Sequence, residues 1–190
     1  MTRYELHVKR LIDLVLAGAA LVLLSPLLAI AAVLIAIDDG FPVLFKQERV
    51  GKDGCTFTIV KFRSLPRATR ALPSDQAADV QPTRVGRWLR RTNIDELPQL
   101  INVLRGEMSV VGPRPPLVEQ YDVVEGRRSC GALRLRPGLT GLAQVNSFDG
   151  MTAEEKVRWD CSYAQQVKFS SDASVVVATL RYLTKPPPTY

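Results

Sequence analysis

The longest unbroken pattern along the chain is apolar: from Leu14 to Ile37 no side chain is charged, and Ser25-Pro26 sits at the middle. At about 1.5 Å per residue, a straight helix of this length just covers the roughly 30 Å hydrocarbon core of a bilayer. Pro26 removes a backbone donor and crowds the carbonyl of Val22, and the Ser25 hydroxyl is able to bond a freed carbonyl, so a kink or reversal is expected there. Each half is then about 16 Å of helix, near the depth of one leaflet. A spanning helix and a re-entrant hairpin both fit, because membrane-crossing helices tolerate proline. A cleaved signal peptide fits poorly, the apolar run being too long. Arg3, Lys9 and Arg10 precede the segment and Lys46, Arg49 and Lys52 follow it, a charge bias that draws both ends to the cytoplasmic side and suits the hairpin.

Beyond this segment the period changes. Val43 to Ser64 alternates around Lys52-Asp53-Gly54 and predicts a β-hairpin with its second strand at Cys55 to Phe62. Leu65 to Pro82, spotted with proline and arginine, predicts a surface loop. Thr83 to Arg105 predicts helix in two pieces parted near Thr92-Asn93, with Gly106 just past the end; Asn93 is placed to cap the second piece, with Glu96 three residues on. Val110 to Ser147 is rich in Pro and Gly. Two amphipathic helices follow, one opened by a Thr152-x-x-Glu155 capping box and one beginning after Asp172, and both suit a membrane interface. The expected class is α+β, mostly helical: a membrane anchor and one compact domain of about 150 residues. No internal repeat is visible, and Lys185-Pro186-Pro187-Pro188 forms an extended tail.

Charge narrows the partners. A net charge of +6 and a pI near 9.5 imply an anionic partner: lipid headgroups, a phosphorylated substrate or nucleic acid. No recognition helix, zinc spacing or aromatic platform supports nucleic acid. Cys55, Cys130 and Cys161 are odd in number, far apart and without metal-ligand spacing, which predicts free thiols in a reducing cytoplasm. His7, the single histidine, is assigned no role.

Candidate chemistry begins at Arg90-Arg91-Thr92-Asn93-Ile94-Asp95-Glu96-Leu97-Pro98, which alone is ordinary helix-start composition. The segment Gly106 to Pro116 changes that. Prolines on both sides of Arg114 hold one guanidinium in a set place, which suits a phosphate. Arg136-Pro137-Gly138-Leu139-Thr140-Gly141 is a second rigid basic turn whose backbone N–H groups are able to face an anion, or a plain loop. Lys61 and Arg63, two apart on a predicted strand, share one face, which also fits a basic membrane-contacting surface.

The apolar segment with central Ser-Pro, Lys61-Phe62-Arg63-Ser64, Asp95-Glu96-Leu97-Pro98-Gln99-Leu100, Asn102 to Ser109, Val111-Gly112-Pro113-Arg114-Pro115 and Arg136 to Gly141 together resemble the bacterial sugar transferases, small monotopic phosphoglycosyl transferases, in order from about Lys9 to Asp172. The resemblance implies transfer of a phosphosugar from a nucleotide diphosphosugar, usually a UDP-sugar, to polyprenyl (undecaprenyl) phosphate, releasing UMP. It implies that Asp95 is the nucleophile of a covalent phosphosugar intermediate and a Mg²⁺ ligand, that Glu96 completes the dyad, and that Arg90 and Arg114 lie near the phosphates. Lys61, Arg63 and Arg136 are read with them as phosphate-binding candidates. Ser25 and Pro26 become the break of a re-entrant anchor at residues 1–40, with a catalytic domain at 41–190 on the cytoplasmic face of the bacterial inner membrane. The service expected is polysaccharide assembly, such as exopolysaccharide or O-antigen. Where the family often has Gly-Arg after Gln144-Val145-Asn146, this chain has Ser147-Phe148-Asp149-Gly150, which leaves the donor sugar open. Asp160, at a position where the family also has Asp, reads as a structural residue of a helix surface, and Trp88 as either an interface anchor or core. Sequence leaves the oligomeric state open. A non-catalytic membrane module holding polyprenyl phosphate or anionic lipid is the alternative.

Overall fold

A computed structural model describes residues 4, 8–67, 69, 80–146 and 151–183; His7, most of the Leu65–Pro82 loop, the Ser147–Gly150 departure and the proline tail lie outside them. The apolar segment is one helix, α1 (Lys9–Asp39), long and apolar enough to cross a membrane. It stays helical through Pro26, where a kink or reversal is the sequence expectation. The Ser25 hydroxyl donates to the carbonyl of Val22 at 2.8 Å, the acceptor that Pro26, lacking an N–H, leaves open.

Asp13, Ala17, Ala31 and Ile35 are buried and Ala20, Leu21, Leu27 and Leu28 partly so, a three-and-four spacing that presents one stripe of α1 to the rest of the chain. Val15, Leu16, Val22, Leu23, Ile30, Val33 and Ile37 stay exposed. Both helix ends are tied to the same body. Near the start, Arg10 donates to the carbonyls of Val103 and Leu104, and buried Asp13 accepts from Ser109 Oγ and the Val110 amide. At the far end, Asp38 accepts from the Val85 amide, and Arg63 donates to the carbonyls of Asp39, Gly40 and Pro42.

The hairpin forms as its turn chemistry predicts: β1 (Leu44–Val50) pairs antiparallel with β2 (Thr56–Phe62), Phe45 opposite Lys61 and Arg49 opposite Phe57, around left-handed Asp53 and Gly54. Two helical pieces follow, parted at Asn93: α2 (Arg84–Thr92), then a 3₁₀ segment Ile94–Gln99 that runs into α3 (Leu100–Arg105). Gly106 closes α3 at φ 85°. The Pro- and Gly-rich stretch is more ordered than its composition suggests. It contains α4 (Tyr121–Ser129), α5 (Leu142–Asn146) and two three-residue strands, β3 (Ser109–Val111) and β4 (Gly138–Thr140), paired parallel. A side chain at Gly138 would overlap the backbone of Gly112, so these two glycines let the two motif segments lie backbone against backbone.

Last come α6 (Ala153–Gln165), which opens on the predicted Thr152–Glu155 capping box, and α7 (Phe169–Leu183), which starts ahead of Asp172 rather than after it. Asp172 does not serve as a cap residue. Its buried carboxylate accepts from Tyr4, Lys9 and Tyr163, each at 2.6 Å, and joins α7 to the base of α1. The expectation of three free thiols is corrected: Cys130 and Cys161 form a disulfide, because α4 and α6 pack side by side and bring their Cα atoms to 5.7 Å, while Cys55 is free and exposed.

Candidate active site

Ile94, Leu97 and Leu100 recur every third residue, the period of a 3₁₀ helix, and all three pack inward: Ile94 with Leu89 and Phe62, Leu100 with Val103 and Met108, and Leu97 between the two clusters. This arrangement turns Asp95 and Glu96 away from the core. Asn93 adopts the left-handed conformation at φ 55° and makes no side-chain cap, and the Glu96 carboxylate does not reach back to it, which overturns the expected capping pair. The physical reason is competition. Lys61, from β2, reaches Glu96 at 2.7 Å and Arg114 reaches it at 2.8 Å, while the Asn93 amide already donates to the Arg90 carbonyl at 3.3 Å, so the carboxylate goes to the two cations.

Burial raises the proton affinity of Glu96, but Arg114 and Lys61 more than offset that and hold it well below the usual carboxylate range. Asp95 has the opposite balance. Burial first, and the charge of Glu96 second, push it up to about 6, against the pull of Lys61, Arg90 and Arg114. No described residue gives Asp95 a hydrogen bond or ion pair. Neighbouring carboxylates about 120° apart on a 3₁₀ segment thus have different surroundings, one neutralised and one available.

Against this geometry stand the known proteins. The family model for the bacterial sugar transferases matches residues 4–186. The chain belongs to that family. It is 40% identical over 185 residues to the UDP-glucose:undecaprenyl-phosphate glucose-1-phosphate transferase of Caulobacter vibrioides, covering 90% of this chain and 68% of that protein. It is also 40% identical over 183 residues to the protein of the same name from Escherichia coli, covering 90% of this chain and 39% of the relative. Exopolysaccharide production protein ExoY of Rhizobium meliloti is 35% identical over 193 residues, covering 90% of this chain and 83% of ExoY. The chain therefore spans well under half of the Escherichia coli relative's length and about two thirds of the Caulobacter one's.

In this sugar transferase Asp95, Glu96, Lys61 and Arg114 come together, and Arg90, whose Nε donates to Ser64 Oγ at 2.9 Å, acts on Asp95 through its charge. Arg63 and Arg136 are placed elsewhere. Arg63 binds the carbonyl end of α1, and Arg136 donates to the Gly106 carbonyl beyond α3, lining a small cavity of about 30 Å³ with Lys9, Arg10 and Asp13. Trp88 is 42% exposed on α2. Asp160 is not a helix-surface residue but 1% exposed, paired with Arg127.

Arg49 is the site residue that sequence reasoning missed, having read it only as a flanking charge. It lies close enough to Arg114 and Glu96 to feel both, and burial, then Arg114, lowers its pKa to about 10. The available signal was the hairpin register, which carries Arg49 and Lys61 on one face. Asn102 was also unread. Fully buried, it accepts from the Val60 amide and donates to the Thr58 carbonyl and to Glu107, fastening α3 to the strand that carries Lys61.

Proposed function

We propose that this sugar transferase moves a phosphosugar from a UDP-sugar to undecaprenyl phosphate, with Asp95 as nucleophile. The observation that carries the reading is the division within the acidic pair: Glu96 is saturated by Lys61 and Arg114, whereas Asp95 stands beside it unbonded among the described residues. UDP-glucose is the donor named for the relatives from Escherichia coli and Caulobacter, and it is the first donor to test here.

In the first half-reaction a carboxylate oxygen of Asp95 bonds to the sugar-bearing phosphorus, the P–O bond to the uridylyl phosphate breaks, and UMP leaves with the electron pair. In the second an oxygen of undecaprenyl phosphate bonds to the same phosphorus and the acyl phosphate breaks, which restores the carboxylate and yields undecaprenyl diphosphosugar. With its pKa at about 6, Asp95 is largely ionised at neutral pH and needs no general base. Its obstacle is repulsion. One unit of like charge near 4 Å opposes it by about 4 kcal/mol at an effective dielectric of 20, roughly a thousandfold in rate. Arg114, half-exposed beside Glu96, is placed to meet the incoming phosphates, and Lys61, Arg49 and Arg90 add positive potential behind it.

No group of three or more His, Cys, Asp or Glu side chains converges among the described residues. A single free carboxylate nevertheless fits Mg²⁺, which commonly takes one or two carboxylates and completes its sphere with water and substrate phosphate oxygens. Asp95 would hold the ion, whose chemistry when bound is neutralisation of diphosphate charge.

The same proposal makes residues 1–40 a re-entrant anchor and 41–190 the catalytic domain at the cytoplasmic face of the inner membrane. Supporting it are the attachment of both ends of α1 to one body, the uncovered apolar face of α1, and basic residues on both flanks. Exposed Trp88, Ile101 and Leu104 on the neighbouring helices suit contact with the interface.

The deciding measurement is UMP release by the purified chain in nanodiscs with Mg²⁺, undecaprenyl phosphate and single UDP-sugars. Release with one donor, lost in Asp95→Asn and on chelation, is expected. Silence across the panel with the lipid still bound would replace the enzyme with a lipid-holding module.

A further inference from the structure

Pro113, Pro115 and Pro116 leave Arg114 with the one backbone donor of its four-residue stretch, so this loop is anchored mainly through its carbonyls. Four consecutive carbonyls each accept from a different part of the chain: Pro113 from the Gly138 amide at 2.9 Å, Arg114 from Arg127 Nη1 at 2.8 Å, Pro115 from Arg49 Nη1 at 3.3 Å, and Pro116 from the Val50 amide at 3.0 Å. Gly138 and Val50 are strand residues held by their own pairing. Arg127 is different, a side chain sent in from α4 and 4% exposed.

Asp160 of α6 seats that side chain, taking Nε at 2.9 Å and Nη2 at 2.7 Å. The two Asp160 contacts and the one to Arg114 use all three guanidinium nitrogens. A buried ion pair is a poor device for stability, since apolar residues of similar volume commonly serve as well or better. What apolar residues cannot do is donate to the Arg114 carbonyl.

We infer that Arg127, seated by Asp160, is a positioning residue that fixes the Arg114 loop so that the Arg114 guanidinium meets Glu96 and the donor phosphates, an inference that rests on the transferase reading above. Arg127 touches no reacting atom. It acts through the backbone of Arg114, whose own side chain is half in solvent and pairs with Glu96 at 2.8 Å. The Cys130–Cys161 disulfide joins the same two helices, so α4 and α6 stay together when the charge pair is removed.

The test uses the paired variant Arg127→Met with Asp160→Leu, which strands no buried charge, and Arg127→Lys, which keeps the charge but not the three-way geometry. Hydrogen exchange of the 112–118 segment is followed with no substrate present, and kcat/KM for UMP release is measured in the wild-type and Arg114→Ala backgrounds. The expected result is faster exchange of the loop with α6 still protected, and a fall in kcat/KM of roughly 10–100-fold in the wild-type background that shrinks to within about twofold once Arg114 is gone. Unchanged exchange in the loop overturns the inference whether or not the chain transfers sugar. A loosened loop with equal losses in both backgrounds also overturns it, because Arg127 would then act other than through Arg114. A wild-type chain inactive with every donor removes the transferase reading, and the exchange result still decides whether Arg127 holds the loop.

Discussion

Lys61 and Arg114 meet the Glu96 carboxylate, whereas Arg63, Arg10 and Arg136 donate to carbonyls at the ends of helices, Arg63 pairing there with Asp39 as well, and the chain treats these two sets of cations very differently. The last carbonyls of a helix have no intrahelical donor and carry the negative end of its dipole, so a guanidinium reaching them is consumed by structure. Arg63 illustrates this, with its side chain 9% exposed, Nη2 donating to the carbonyls of Asp39 and Gly40 at the end of α1 and Nη1 to that of Pro42 just beyond. Arg114 keeps a side chain 51% exposed although it is ion-paired, and that accessibility is what a phosphate ligand requires. Charge alone predicts neither role; the partner decides it.

The sharpest way to break this comparison is to remove one member of each set. Arg114→Ala is expected to lower kcat/KM for UMP release by about 10²–10³ with little change in melting temperature. A small loss there would put Arg114 among the structural cations. Next in size is the pH response. Because burial and Glu96 raise Asp95 to about 6 and only the ionised form attacks, kcat/KM should bend near pH 6 and fall about tenfold per unit below it. A bend near 4 instead would mean that Asp95 is not the group being titrated, or not in this environment.

Arg63→Gln tests the structural set. Loss of its carbonyl contacts and of the Asp39 ion pair is expected to lower stability by about 2 kcal/mol, roughly 4–8 °C in Tm, with per-molecule activity changed far less than by Arg114→Ala. An inactive variant of unchanged Tm would move Arg63 to the phosphates. Of comparable size is the effect of Asp95→Asn as a stability variant. A carboxyl whose folded pKa is raised from 3.8 to about 6 costs the native state stability as pH climbs through that window, and the cost is complete above it. The Asn variant should therefore melt higher at pH 7.5, by about 1–3 kcal/mol, and lose that advantage near pH 4. Equal melting at both values would contradict the burial of the charge.

Much of the framework was legible along the chain. The hairpin around Lys52-Asp53-Gly54, the helix stop at Gly106 and the Thr152–Glu155 capping box each depend on residues within a few positions of one another, and each appears where predicted. Asp95 and Glu96 were legible as candidates through the family's motifs, but their inequality was not. It depends on Lys61, some 35 positions earlier, and Arg114, 18 later, both reaching Glu96. The same distance in sequence hid Arg127 from Asp160 and Cys130 from Cys161. For α1, a run that is apolar on every side has no period from which to read its buried stripe; Ala17 and Ala31 were distinguished from Val22 and Leu23 only by what lay against them.

By itself, then, the sequence determined the elements whose causes are local: a long apolar helix with a proline whose lost bond its neighbouring serine replaces, a tight hairpin, capped and glycine-stopped helices, and a loop stiffened by prolines around Arg114. Only the tertiary structure decided which cations meet Glu96 and which close helix ends, that Asp95 stays unbonded among the described residues, and that Arg127 and Asp160 reach the Arg114 carbonyl. The physical reason is range. Dihedral preference and capping act over three or four residues, whereas ion pairing and desolvation act over a few ångströms of space that chain folding alone brings together.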